Sequence, residues 1–209
     1  MRESETIRFE RVKCGTTVGK MRIWLVVAAA AILMAALSLM GISGYAGWQL
    51  THPQEKPITV YPADYGLEKK DVQFHSTLGH VLLKGWLIPG QDSRRIVIFA
   101  HGYRDNRSVE EPVLPLVKAL HEQGVASLLF DFRNSGESEK DITSIGQFEK
   151  ADLLSAIDYA KSLGNEQIGL IGFSMEAAAA LMAAPEVNHL RFVVADSPFA
   201  DLESYLRDH

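Results

Sequence analysis

The rhythm of hydrophobic and polar positions changes repeatedly along this chain, and each change predicts an element. Residues 23–48 carry no charged side chain and are nearly all apolar over their first part. About 20 residues at about 1.5 Å rise span a bilayer core of about 30 Å, so this segment predicts a transmembrane helix. Trp24, Tyr45 and Trp48 lie near its ends, where aromatic rings favour the interface. Residues 49–61 read as a polar, proline-bearing linker. Beyond it, residues 71–75 and 81–88 read as two strands with a turn between them, an antiparallel hairpin. Residues 95–100 form an apolar run expected to be a buried strand, and 112–123 an amphipathic helix closed by Gly124. A strand over 125–130 follows, then a helix over 147–163 with Leu153, Leu154, Ile157, Tyr159 and Ala160 on roughly one face. The strand 168–172 runs through Ser174 into Ala177-Ala178-Ala179-Ala180-Leu181-Met182, a strong helix former, and 192–195 is a last strand.

Strands that alternate with helices in this way predict a mostly parallel α/β sheet, here preceded by the antiparallel hairpin. In such sheets ligands meet the carboxyl ends of the strands. His101, Asp131, Ser174 and Asp196 all fall at such ends. Ser174 stands out among them. A serine on a tight strand-to-helix turn projects its hydroxyl beside the N–H groups of a helix start, which sets a nucleophile next to a donor for a developing oxyanion. The tripeptide Gly172-Phe173-Ser174 carries little weight alone, since G-x-S arises by chance about once in 200 residues. Its flanking strand and helix carry the argument. The last glycine of the G-x-S-x-G pattern is replaced by Glu176. That glutamate either points to solvent from the first helical turn, where a carboxylate suits the helix dipole, or records relaxed selection on an inactive site.

Charge sharpens the picture of the ends. Residues 1–22 hold six basic and three acidic side chains, a net +3, so with the whole chain at −5 the remainder carries −8. Basic flanks stay cytoplasmic, which predicts a cytoplasmic tail over 1–22, a span over 23–48 in the cell membrane and an extracytoplasmic domain over 62–209. A cleavable signal with Gly44-Tyr45-Ala46 as its cleavage site is the rival reading, although 22 residues are long for the leading region. The single Cys14 excludes a disulfide framework in the outer domain. The acidic balance gives no sign of nucleic-acid binding, and no CxxC or HExxH pattern suggests a metal.

From about Pro62 onward the chain resembles the α/β-hydrolase superfamily, in particular membrane-anchored members related to serine peptidases and acyl esterases. The residues that carry the resemblance are Asp64-Tyr65-Gly66-Leu67, Gly85-Trp86, His101-Gly102-Tyr103-Arg104, Asp131-Phe132-Arg133-Asn134-Ser135-Gly136, Gly172-Phe173-Ser174-Met175 and Asp196-Ser197-Pro198-Phe199. The resemblance implies that Ser174 attacks a small ester or amide substrate and that the N–H groups of Tyr103 and Met175 form the oxyanion hole. His101 and Gly102 would shape that loop, His101 not being the base, and Asp131 with Arg133 would form a buried pair that ties the loop after its strand. No cofactor is implied, because this chemistry uses side chains and backbone donors alone.

In this fold the acid and histidine follow the nucleophile, and only 35 residues follow Ser174. They contain His189, expected at the opposite end of the sheet, and the terminal His209. Asp196 can orient a histidine but reads more readily as a turn residue before Ser197-Pro198, and Asp201 is weaker still. The hydrolase domain is therefore expected to be C-terminally incomplete, with 192–195 left as an apolar edge strand open to association. A non-catalytic, membrane-tethered α/β scaffold that binds a ligand or partner is the competing function.

Overall fold

The structure is a computed structural model that describes residues 15–54, 56–108 and 113–198. Cys14, Phe199, Asp201 and His209, all singled out above, lie outside the described residues, as does the first residue of the helix expected over 112–123. The chain divides into two units, Met1–Trp48 and Gln49–His209.

The first unit holds most of helix α1 (Gly15–Thr51). Its stretch Gly19–Thr51 is long and apolar enough for a membrane span or a signal sequence, and none of its most apolar window is buried. At 37 residues the helix is about 55 Å long, well beyond a bilayer core. It continues to Thr51 and so takes up the first residues assigned above to the linker. Nothing polar interrupts the helix there: Gln49, Leu50 and Thr51 all tolerate helical geometry, and Pro53 is the first residue that does not.

The second unit is built on a six-stranded sheet: β1 (Lys70–His75), β2 (Leu82–Ile88), β3 (Asp92–Ala100), β4 (Val125–Phe130), β5 (Gln167–Phe173) and β6 (Leu190–Asp196), in the spatial order β1-β2-β4-β3-β5-β6. β1 pairs antiparallel with β2 and β2 with β4, whereas β3–β4, β3–β5 and β5–β6 are parallel. β3 starts three residues before the apolar run, because Asp92 pairs with Val125 across an irregularity that the polar Ser93 and Arg94 give no hint of.

Alternation along the central strands serves two cores, as expected when both faces are covered. Ile96, Ile98 and Ala100 of β3 join Leu128 and Phe130 of β4 under helix α3 (Gln147–Ser162) and helix α4 (Met175–Ala183), while Val97 and Phe99 join Trp86, Leu129 and Val117 under helix α2 (Val113–Glu122). β6 is the far edge. Its Phe192 and Val194 are 44% and 48% exposed.

Candidate active site

Strand β5 runs into Ser174, whose φ and ψ are 51° and −119°, and α4 begins at the next residue. A non-glycine residue held there costs of order 1–3 kcal/mol and persists only when its surroundings fix it. Two backbone bonds do so: the Ser174 N–H donates to Asp196 O at 2.8 Å, and its carbonyl accepts from the Ala177 N–H at 3.1 Å. The turn also needs Gly172. A Cβ there would lie 2.6 Å from Glu176 O and 2.9 Å from Ala177 Cα, so any side chain would push the helix off the strand. The Ser174 side is exposed, and its hydroxyl makes no hydrogen bond to a described residue.

The loop after β3 lies against this elbow. A Cβ on Gly102 would meet Ser174 Cβ at 3.4 Å. The loop is braced from below by His101, which is 4% exposed. Its Nε2 accepts from the Phe132 N–H at 3.3 Å, which assigns the proton to Nδ1, and Nδ1 then donates to Gly102 O at 2.9 Å. Burial holds the imidazole below the usual histidine range, so the ring is neutral with both nitrogens committed. It braces the loop and has no nitrogen left to serve as a base. The Asp105 N–H closes the turn on Gly102 O at 3.1 Å, and the Tyr103 hydroxyl donates to Leu50 O at 2.7 Å. No hydrogen bond from the Tyr103 N–H is present among the described residues. The Met175 N–H sits at the first position of α4, where no intrahelical acceptor exists.

Asp131 and Arg133 do not pair with each other, contrary to the sequence expectation. The Asp131 carboxylate, fully buried, accepts from the Arg107 N–H at 2.7 Å, Arg107 Nη1 at 2.9 Å and the Glu137 N–H at 2.8 Å. Arg107 also reaches the Glu137 carboxylate and lies over the Trp86 ring at 4.7 Å. Burial pushes the Asp131 carboxyl up, and Arg107, helped by the Glu137 N–H, pulls it back. Arg133 turns the other way, to Asp152 Oδ2 at 3.0 Å, Asp152 Oδ1 at 2.7 Å and Asp141 Oδ2 at 3.0 Å. Each charge is drawn to a distant partner: Arg107 ties the loop after β3 to the end of β4, and Asp152 ties α3 to the loop after β4. Sequence reasoning missed both partners. The available signal was a charged residue in the middle of the core-facing side of a helix, as Asp152 is beside Leu153 and Ala156.

Glu176 corrects a second expectation. It is 1% exposed, not solvent-facing, and its Oε2 has no hydrogen-bond partner. Asp196 keeps its side chain in a local turn, accepting from Ser197 Oγ at 2.8 Å, while its carbonyl holds the elbow. His189 precedes β6 and lines an open groove with Lys161 and Asn165, at the amino ends of the parallel strands and away from Ser174. No group of three metal-ligating side chains occurs among the described residues.

Residues 45–209 match the family model of the X-Pro dipeptidyl-peptidases, the S15 family. The chain belongs to the S15 family. Among solved structures, this S15 chain superposes on the Pyrococcus furiosus esterase Pf2001 with a TM-score of 0.66 and 32% identity, over 75% of this chain and 65% of that one. It superposes on the α/β hydrolase GrgF of Penicillium with a TM-score of 0.56 and 26% identity, over 68% and 54% of the two chains. The sheet order and these likenesses make the second unit an α/β-hydrolase fold, and its relatives include hydrolases of the esterase kind. Bacillus subtilis YqkD, uncharacterized, is 29% identical over 171 residues, 78% of this chain and 50% of its own. The thiohydrolase aneE of Aspergillus aculeatus is 29% identical over 60% of this chain and 40% of its own. The S15 chain thus spans about half the length of the curated relatives it matches.

Proposed function

We propose that this protein is a membrane-anchored serine hydrolase that cleaves carboxylic ester or amide bonds through an acyl-enzyme on Ser174. The observation that carries the reading is the strained, exposed serine at the end of β5 with the Gly102–Tyr103 backbone seated against it. Ser174 Oγ attacks the carbonyl carbon, and the negative charge that develops on the carbonyl oxygen is met by the Met175 and Tyr103 N–H groups. Removing one such donor typically costs about 2.7–4 kcal/mol of transition-state stabilisation. The alcohol or amine leaves with a proton, and water then attacks the acyl carbon and returns Ser174.

Ser174 must pass its proton to a base. His101 has no free nitrogen and His189 stands at the wrong end of the sheet, so neither of these two is that base. Helix α1 supports the anchor: over residues 23–48 it is apolar on all sides, as a lipid-facing span is, and the basic residues before that stretch favour an external hydrolase domain.

A fluorophosphonate probe tests the chemistry on the intact protein isolated from its own membranes. Labelling that disappears in Ser174→Ala supports the hydrolase. A folded protein that never labels overturns it and favours a ligand-binding scaffold.

A further inference from the structure

Among the described residues, Glu176 is the one buried acid in this unit that the architecture does not use. Asp131 and Asp152 each hold an arginine, and Glu149 accepts from the Ser144 and Gly146 N–H groups at 3.0 and 2.7 Å. Glu176 holds nothing comparable. It faces a narrow cavity of about 10 Å³, room for one water, which it shares with His101, Gly102, Tyr103 and Arg104 of the loop. The carboxyl therefore lies under the segment that rests on Ser174.

Charged groups approach the cavity from three segments. From α3, Glu149 and Asp152 both disfavour a further negative charge. From the loop after β4, Arg133 lines the cavity, but its donors go to Asp152, Asp141, Ser76 and Leu78. From the loop after β3, Arg104 lies over the Tyr103 ring at 5.3 Å, and His101 is neutral with both nitrogens bonded. Burial first, and these two acids second, push the Glu176 carboxyl well above the usual carboxylate range. Glu176 is thus seated as a neutral acid, because an anion in that place would pair with neither arginine: the Arg133 donors are engaged elsewhere and Arg104 lies over Tyr103.

We propose that Glu176 is a protonation switch for the loop over residues 101–104: neutral, it stays in the cavity and the loop rests against the elbow; ionised, it swings out to solvent and the loop lifts away from Ser174. The switch deepens the hydrolase reading, since it rests on that loop supplying an oxyanion donor, and it disables the site as pH rises.

Amide hydrogen exchange on the full chain in detergent tests it. The Asp105 amide, bonded to Gly102, and the Phe132 amide, bonded to His101, report the seated loop; the amides of Ile98 and Leu128 report the core. If opening releases one proton, protection at the two loop amides falls with rising pH, by up to about tenfold per unit, while the core amides hold. In Glu176→Gln, which mimics the neutral acid, that slope is lost. His101 acts in the opposite sense, at low pH, and does not interfere. Loop protection that stays flat in the wild-type chain overturns the switch, as does a slope unchanged in Glu176→Gln. Parallel loss in loop and core also overturns it. Should the glutamine variant not fold, Glu176→Gly is the second carboxyl-free chain, and a slope that persists in it overturns the switch. Fluorophosphonate labelling read alongside separates the two ideas. A slope with no labelling at any pH upholds the switch and overturns the hydrolase, whereas labelling with flat exchange does the reverse.

Discussion

Replacing Asp131 by alanine should be among the most damaging single changes in the second unit. The carboxylate accepts two backbone N–H groups and the Arg107 guanidinium, whose side chain is 3% exposed. Removing one partner of a buried ion pair leaves the other charge stranded and costs about 3–5 kcal/mol. Arg107 keeps Glu137, which is 57% exposed and so recovers only part of the loss. The low end, about 3 kcal/mol, is therefore expected. Trp86 is 1% exposed and lies under Arg107, so its fluorescence reports this unit once Trp24 and Trp48 are replaced by phenylalanine. With a urea slope of about 2 kcal/mol/M, the midpoint should fall by about 1.5 M. The paired change Asp131→Leu with Arg107→Met removes both charges and should recover most of that loss. Because Arg107 carries the segment that follows Tyr103, the alanine variant should also lose probe labelling at Ser174 below its unfolding midpoint. A drop under about 1 kcal/mol, or a double variant as unstable as the single one, would refute the claim that a stranded charge is the cause.

Two further changes probe the elbow and its brace. Gly172→Ala puts a Cβ 2.6 Å from Glu176 O, a backbone atom that cannot swing aside, so about 1–3 kcal/mol of overpacking and loss of Ser174 labelling are expected; chemical denaturation with wild-type labelling would contradict this. His101 has a folded-state pKa below its unfolded value, so the folded chain binds fewer protons and stability falls as pH drops below about 6.5, by up to about 1.4 kcal/mol per unit. That acid limb should vanish in His101→Asn, and a limb that survives the substitution would show that another group titrates.

Periodicity revealed most of the elements because burial on a sheet or helix face leaves a local imprint. β4 was legible to the residue, and α3 to within one, since Gly124 and Gly164 punctuate them. The order of β3 and β4 in the sheet leaves no such imprint; both are equally apolar runs. Pairing among buried charges was hidden for the same reason. Asp131 and Arg133 are neighbours in the chain, yet their partners lie 24 and 19 residues away, and only the folded sheet brings those together. The strand-end positions of His101, Ser174 and Asp196 were legible, but what each does there was not. Asp196 contributes a carbonyl to the elbow, a role no side chain announces. Glu176 was the hardest to read, because helix polarity argues for solvent while neighbours from three other segments enclose it.

The placement of Ser174 is measured out several residues upstream. The Phe192 ring fills the space above Gly169, where a Cβ would come within 2.2 Å of it. Gly169 pairs with Phe192 and Phe173 with Asp196, so the same register that drops the ring into this notch sets the Asp196 carbonyl opposite the Ser174 N–H. A slip of one residue would turn Phe192 to the other face and strand the notch empty. The notch works as a ruler: β6 can dock in one alignment only, and the turn that carries Ser174 inherits its position from a ring and a missing side chain toward the other end of that strand.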